Sequence, residues 1–151
     1  MTVSGSPSVE TARQLRNRQT VDRLTYLRTL RALADMMTQR DLADELRMTQ
    51  PAVSQALKSA ARIDDVRPGF SGGSPYEIAQ RYAAGELTRA KAVDELTRWS
   101  YDPTPVSDGY DALIVDEPGT HAEDELVRAL DDGLIDETIY DQIGEAHRTV
   151  K

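Results

Sequence analysis

Residues 38–57, TQRDLADELRMTQPAVSQAL, constrain the chain most, because they contain two short helical patterns separated by a tight turn. Thr49 can cap the second helix, and Pro51 in its first turn costs no helical hydrogen bond. The inward face of that helix is aliphatic and consists of Val53, Ala56, Leu57 and Ala60. The opposite face is polar. A small protein needs this arrangement to place one helix in the major groove of DNA.

Charge divides the chain into two halves of opposite sign. Residues 1–62 contain ten Lys/Arg and six Asp/Glu, a net charge of +4, and residues 63–151 contain eight and twenty, a net charge of −12. The basic half can approach a phosphate backbone, whereas the acidic half would lose the attraction that drives non-specific DNA binding. We therefore expect the acidic half to face away from DNA, to be solvated, or to bind a basic partner.

The segment TQRDLADELRMTQPAVSQALK resembles the helix-turn-helix of bacterial transcription regulators, including the repressor type and the arsenic- or multidrug-regulator types. The resemblance covers about 20 of the 151 residues. It implies that Leu42 and Leu46 point into the core, that Ala43 lies where the helices cross, and that Met48 packs under the turn. Regulators of this type usually have glycine at the position of Arg47, which tends to have a positive φ. A residue other than glycine there costs on the order of 1 kcal/mol.

The outward face of the second helix supplies the candidate DNA contacts. Candidate base contacts are Gln50, Pro51, Ala52, Ser54 and Gln55. Glutamine can pair with adenine N7 and N6, and proline or alanine can lie against a thymine methyl, so we expect an A·T-containing half-site. Candidate phosphate contacts are Gln39, Arg40, Thr49, Lys58 and Arg62. The resemblance implies this role for Gln39, at the start of the first helix.

Two alternatives qualify this interpretation. The helix pair is either a DNA-binding module or a hairpin that only packs. A single module buries little surface, so a homodimer on a near-palindromic site is expected, with its second helices about 34 Å apart. The apolar stripe Leu24, Leu27 and Leu30 in the preceding helix is either a dimer seam or part of the domain's own core.

The whole pattern predicts an all-α protein: an N-terminal helix-turn-helix domain followed by a smaller acidic domain of two helical hairpins. The predicted parts are a disordered lead (1–8), a basic DNA-binding domain (9–62), a hinge (63–73) and an acidic interaction domain (74–151). Helices are expected from Val9 to Met37 and, in the acidic domain, in two pairs broken at Gly85 and Gly133. The two pairs match at a constant offset, either by duplication or because all helical hairpins share this chemistry. Residues 101–119 are expected to be mainly loop.

The acidic half is expected to bind a protein partner through aromatic residues in an acidic rim. The candidates are Trp99, Tyr101 and Tyr110, with folding into the core as the alternative. A DNA-binding half joined to an acidic half also resembles the antitoxins of bacterial toxin–antitoxin operons, which implies a small basic toxin as partner. The hypotheses are therefore an autoregulatory transcriptional repressor, an antitoxin, and a protein-only adaptor.

Other function classes find little support in the sequence. There is no cysteine, which excludes disulfides and thiolate-ligated metal sites. No nucleophile elbow, P-loop or dinucleotide-binding glycine pattern occurs, so we expect neither an enzyme nor a cofactor. No apolar run is long enough for a membrane span, and the first ten residues lack the apolar segment of a secretory signal. The expected location is the cytoplasm, associated with the nucleoid.

Overall fold

The computed structural model describes residues 7–101 and 122–149, and the chain forms two compact units, Met1–Asp65 and Val66–Lys151. The described residues contain only α-helices and no strand, which confirms the all-α prediction. The helices are α1 (Val9–Ala34), α2 (Gln39–Leu46), α3 (Gln50–Ala60), α4 (Pro75–Ala83), α5 (Arg89–Arg98), α6 (Ala122–Asp131) and α7 (Glu137–Thr149). Because the second unit spans the longer stretch of chain, the expectation of a smaller acidic domain is wrong.

Parts of the prediction lie outside the described residues. These are the first six residues of the predicted lead and most of the predicted loop, with Tyr110. Within the described stretches, no helix combines the length and the apolar character that crossing a membrane requires.

The first unit is built from α1, α2 and α3 around one aliphatic core. The buried core residues are Leu27, Leu30, Leu42, Ala43, Val53 and Ala60. Two of the three leucines in the α1 stripe are therefore core residues of their own unit, and Leu24 is half-buried. The stripe therefore belongs mainly to the core of its own unit and not to a dimer seam, so any dimer contact would involve other residues.

Helix α1 begins where predicted and ends earlier than predicted. The Ser8 hydroxyl accepts the Thr11 N–H at 3.0 Å and caps the first turn. At the other end, the N–H groups of Met36 and Met37 both bond the Leu33 carbonyl, at 2.9 and 3.0 Å. This tightened turn ends α1 at Ala34 rather than near Met37.

The second unit consists of two helical hairpins, α4–α5 and α6–α7, with α4 packed on α6 and α5 on α7. The hairpins share one turn design. Gly85 and Gly133 have φ values of +88° and +77°, which a residue with a Cβ rarely adopts. After each glycine, an oxygen-bearing side chain caps the next helix: Thr88 accepts from Lys91 N–H at 3.1 Å, and Asp136 from Ile139 N–H at 2.8 Å.

Charged side chains are part of the interior of this unit. The Glu95 carboxylate is fully buried and accepts from both the N–H and the hydroxyl of Ser71, each at 2.6 Å. Glu77 and Arg81 are also buried and form an ion pair at 2.8 Å. Every buried charge here has a partner, as burial requires. Some of the acidity is therefore internal structure and not a surface for a partner.

The segment predicted as a hinge contributes to this packing. Phe70 contacts Trp99 edge to face, with ring centroids 4.9 Å apart. The Arg67 guanidinium lies 4.5 Å from the Trp99 ring centroid. Together with Ser71 on Glu95, these contacts make residues 66–73 a structured loop of the second unit.

Candidate nucleic-acid interface

The turn between α2 and α3 has the left-handed residue that the helix-turn-helix pattern implies. Arg47 adopts φ 58° and ψ 45°, and no other non-glycine residue in the described part of the chain has a positive φ. The next residue, Met48, donates its N–H to the Ala43 carbonyl at 2.9 Å, which closes the end of α2. The prediction of a positive φ at Arg47 is confirmed. The turn fixes the direction in which the chain enters α3.

The start of α3 is fixed by a cap and a proline. The Thr49 hydroxyl accepts the Ala52 N–H at 3.2 Å, and Pro51 occupies the first turn, where its missing N–H costs nothing. Val53 and Ala60 are fully buried against α1 and α2, and Ala56 and Leu57 are half-buried beside them. These four residues set the rotation of α3 about its axis.

The rotation leaves the predicted contact surface in solvent. Six of its residues are exposed and one is half-buried: Gln50, Pro51, Ala52, Gln55, Lys58 and Arg62 are exposed, and Ser54 is half-buried. The base candidates lie in the first half of α3 and the two cations lie towards or beyond its end. This face therefore presents amide groups and small apolar groups next to positive charge.

The remaining phosphate candidates lie at the starts of the two helices. Gln39 and Arg40 are exposed in the first turn of α2. Thr49 is exposed, and although its oxygen accepts from Ala52, its hydroxyl hydrogen remains a donor. All ten candidate DNA contacts thus lie in residues 39–62 of one unit.

Two arginines of α1, which the sequence patterns did not indicate, bind the chain just beyond the C-terminal end of α3. The Arg28 guanidinium donates twice to the Asp64 carbonyl, at 3.0 and 2.7 Å. Arg31 donates to the Ile63 carbonyl at 2.7 Å, and also to the Ala60 carbonyl and the Asp65 carboxylate. Cations at a helix C-terminus satisfy carbonyls that have no helical partner. The available signal was the three-residue spacing of the two arginines, which places them on one side of α1.

One core prediction is wrong. Leu42 is buried as predicted, but Leu46 keeps 39% of its surface exposed. The reason is that Leu46 ends α2 and lines a groove with Leu33 and Met37. The helix-turn-helix resemblance implied that Leu46 points into the core, but the first unit covers it only in part.

The two described aromatic residues expected to contact a partner are packed in the second unit. Trp99 is 9% exposed and belongs to its core. Tyr101 donates its hydroxyl to the Leu96 carbonyl at 2.7 Å and packs against the His147 ring, and burial raises the pKa of Tyr101. As placed, neither residue serves as an exposed anchor, so the core alternative holds for both. Tyr110, the third candidate, lies outside the described residues.

Comparison of the chain with family models, curated proteins and solved structures gives no match. The exposed face of α3, with the turn and the arginines that orient it, is the feature of the molecule that bears most directly on function.

Proposed function

We propose that the protein is a sequence-specific, dimeric DNA-binding repressor that inserts α3 into the major groove. The observation that carries this proposal is the division of α3 into two faces. Val53 and Ala60 are fully buried, while the Gln50 and Gln55 side chains are exposed on the other side. The tight turn, the capped start and the polar outer face of α3 agree with the spacing of a helix-turn-helix, and this agreement supports the proposal.

The chemistry of the exposed face favours adenine and thymine. The amides of Gln50 and Gln55 can each donate to adenine N7 and accept from its N6 amino group. Pro51 and Ala52 are exposed in the same turn and offer apolar contact to thymine methyl groups. An A·T-containing half-site is the expected target.

Phosphate contacts would hold the module in register. Lys58 and Arg62 are exposed towards and beyond the end of α3, and Gln39 and Arg40 are exposed at the start of α2. Such contacts supply affinity without sequence preference and make binding salt-dependent. The net charge of +4 on residues 1–62 fits this role, and the second unit, with eight Lys/Arg and eighteen Asp/Glu in residues 66–151 and a net charge of −10, would be repelled by the phosphate backbone.

The acidic unit supports one alternative, the antitoxin. Acidic side chains are exposed along α6 and α7: Glu123, Asp124, Asp131, Glu137 and Asp141. A surface of this charge fits a basic protein. Purification of the tagged protein from its native host tests this alternative, since a stoichiometric small basic protein from an adjacent gene would favour the antitoxin.

Selection from a random duplex library tests DNA binding itself. The full chain is immobilised, bound duplexes are amplified over several rounds, and the enriched sequences are aligned. The proposal predicts an enriched A·T-containing motif with two related halves. Folded protein that retains no duplex at low salt would overturn the repressor and favour a protein-only adaptor.

A further inference from the structure

The first unit has an open groove next to the end of α1. Its volume is about 530 Å³, and its apolar lining is Leu33, Met37, Leu42 and Leu46. Three acidic side chains, Asp41, Asp44 and Glu45, complete the lining. Leu46 is 39% exposed here, and the adjacent Met36 is 79% exposed. The groove therefore offers apolar surface within an acidic rim.

The N-terminal end of α1 is basic, opposite in charge to the acidic rim of the groove. Residues 9–20 span about 18 Å of helix and are exposed except for the half-buried Asn17. We call this segment the arm. It presents Leu15, 59% exposed, and Val9, 70% exposed. Arg13 and Arg16 lie on either side of Leu15 in the sequence and are exposed too. The arm is an exposed basic helix, and helices gain most of their stability from tertiary packing.

One side of α1 connects the arm to the groove. Leu15, Tyr26 and Leu33 are separated by eleven and seven residues, close to whole numbers of helical turns. They therefore lie along the same side of α1, and Tyr26 in the middle is 40% exposed. The same side also carries Asp22 and Thr29, so it is polar between its apolar residues. It has the exposed Leu15 with basic neighbours at one end and the acidic groove at the other, and these two ends are complementary in charge. A two-fold axis near its middle brings each end onto its counterpart in a second copy.

We propose that two copies of the chain pair antiparallel along α1, with the arm of each copy in the groove of the other. In this dimer Leu15 packs against Leu33 and Leu46, and Arg16, which lies about 100° further around the helix, faces Asp41, Asp44 and Glu45. The opposite charges favour the antiparallel pairing and disfavour a parallel one. This inference rests on the dimeric part of the proposed function, but not on DNA recognition, and its tests contain no DNA.

Sedimentation equilibrium of the full chain gives the first test. Leu15→Asp should raise the dimer dissociation constant by about tenfold or more, because an apolar contact is replaced by a charge. Val127→Asp is the matched control, since Val127 is also an exposed aliphatic residue, on α6, 41% exposed. It should leave the constant unchanged. A native protein that stays monomeric up to high micromolar concentration, or equal effects of the two substitutions, would overturn the proposal.

Charge reversal tests the pairing of the two ends. Arg16→Glu alone and Asp44→Arg alone should each weaken the dimer several-fold, and the double variant should recover most of the loss. Both residues are exposed in the single chain, so circular dichroism should show all three variants folded. Additive losses in the double variant would contradict the pairing.

Disulfide trapping tests the geometry in a second way, because the native chain has no cysteine. Protein with Leu15→Cys is mixed with differently tagged protein carrying Leu46→Cys and then mildly oxidised. The mixed dimer should form at least about tenfold faster than with Val127→Cys, whose parent residue has nearly the same exposure, 41% against 39%. Equal rates would contradict the antiparallel dimer and leave the proposal of DNA binding intact.

Discussion

The Arg31 guanidinium donates to the Ile63 carbonyl at 2.7 Å, across 32 residues of sequence, and so ties α1 to the chain just beyond α3. Arg31 also contacts the Ala60 carbonyl and the Asp65 carboxylate. Arg28 makes a parallel contact with the Asp64 carbonyl. These bonds hold the end of α3 while Val53 and Ala60 hold its inner face. The exposed glutamines are thereby carried on a helix of fixed position.

Loss of this contact should destabilise the first unit. Arg31→Ala should lower its free energy of unfolding by about 1–3 kcal/mol, because carbonyls beyond α3 lose a charged donor. Arg31→Lys should recover only part of the loss, since one ammonium cannot reach all three acceptors at once. Urea unfolding followed by circular dichroism measures the effect. Arg23→Ala, at an exposed position of the same helix, is the control and should change stability little. A similar effect of both alanine variants would contradict a specific role for Arg31.

The base candidates should affect specific binding alone. Gln50→Ala or Gln55→Ala should weaken binding to the selected duplex by about 1–3 kcal/mol, because each amide can make a bidentate contact with adenine. Fluorescence anisotropy on the selected duplex and on a scrambled one gives the comparison. Both residues are exposed, so thermal unfolding should be unchanged. An equal loss on the scrambled duplex would indicate that the glutamines do not contact bases.

The phosphate candidates should affect every sequence. Lys58→Ala should weaken binding to both duplexes and reduce the slope of log affinity against log salt by about one. Arg148→Ala is a suitable control, because it removes the same charge from an exposed site in the second unit. That variant should keep the native slope. An unchanged slope for Lys58→Ala would exclude a phosphate contact at this residue.

The left-handed conformation of Arg47 predicts that glycine and alanine at this position give proteins of different stability. Arg47 has φ 58°, where a Cβ is unfavourable. Arg47→Gly should therefore be more stable than Arg47→Ala, by up to about 1 kcal/mol after the entropy of glycine in the unfolded chain is included. Both variants lose the arginine side chain, so their comparison isolates the backbone. A glycine variant no more stable than the alanine variant would contradict the strain.

Lowering the pH should remove the contribution of the Asp136 carboxylate to the stability of the second unit. The Ile139 N–H and the Arg89 guanidinium hold the pKa of the Asp136 carboxyl below its usual range. A lowered pKa stabilises the fold at pH values above the unfolded pKa, about 4, and this contribution is lost as pH falls through the folded value. Asp136→Asn keeps a capping oxygen but does not titrate. The stability difference between native protein and this variant should shrink between pH 6 and pH 3, whereas Asp141→Asn, without the cap, should show a smaller change.

Local chemistry made several helix starts and ends predictable, although not the end of α1. Ser74, Thr88 and Asp136 each cap the helix that follows, and Gly85 and Gly133 end the helices before them. Caps and stops depend on groups within a few residues, which a sequence displays directly. The outward face of α3 was predictable for the same reason, because helical periodicity alone separates Gln55 from Val53.

Contacts between distant parts of the chain were not predictable in this way. The hydrogen bond from Arg31 to the Ile63 carbonyl joins residues 32 positions apart. The hydrogen bond from the Ser71 N–H to the buried Glu95 carboxylate joins residues 24 positions apart. Helical spacing marks Glu95 as one more acidic residue, although its carboxylate is fully buried. The exposure of Leu46 depends on which element covers α2, and spacing contains no information about that.

The most direct test of the central claim changes one atom in the DNA. The selected duplex is remade with 7-deazaadenine, which lacks the N7 acceptor in the major groove, and its affinity is measured for native protein and for the double variant Gln50→Ala/Gln55→Ala. We predict that the modified base weakens binding of the native protein by about 1–3 kcal/mol and has little further effect on the double variant. An equal loss for both proteins, or no loss for the native protein, would contradict base recognition by the exposed face of α3.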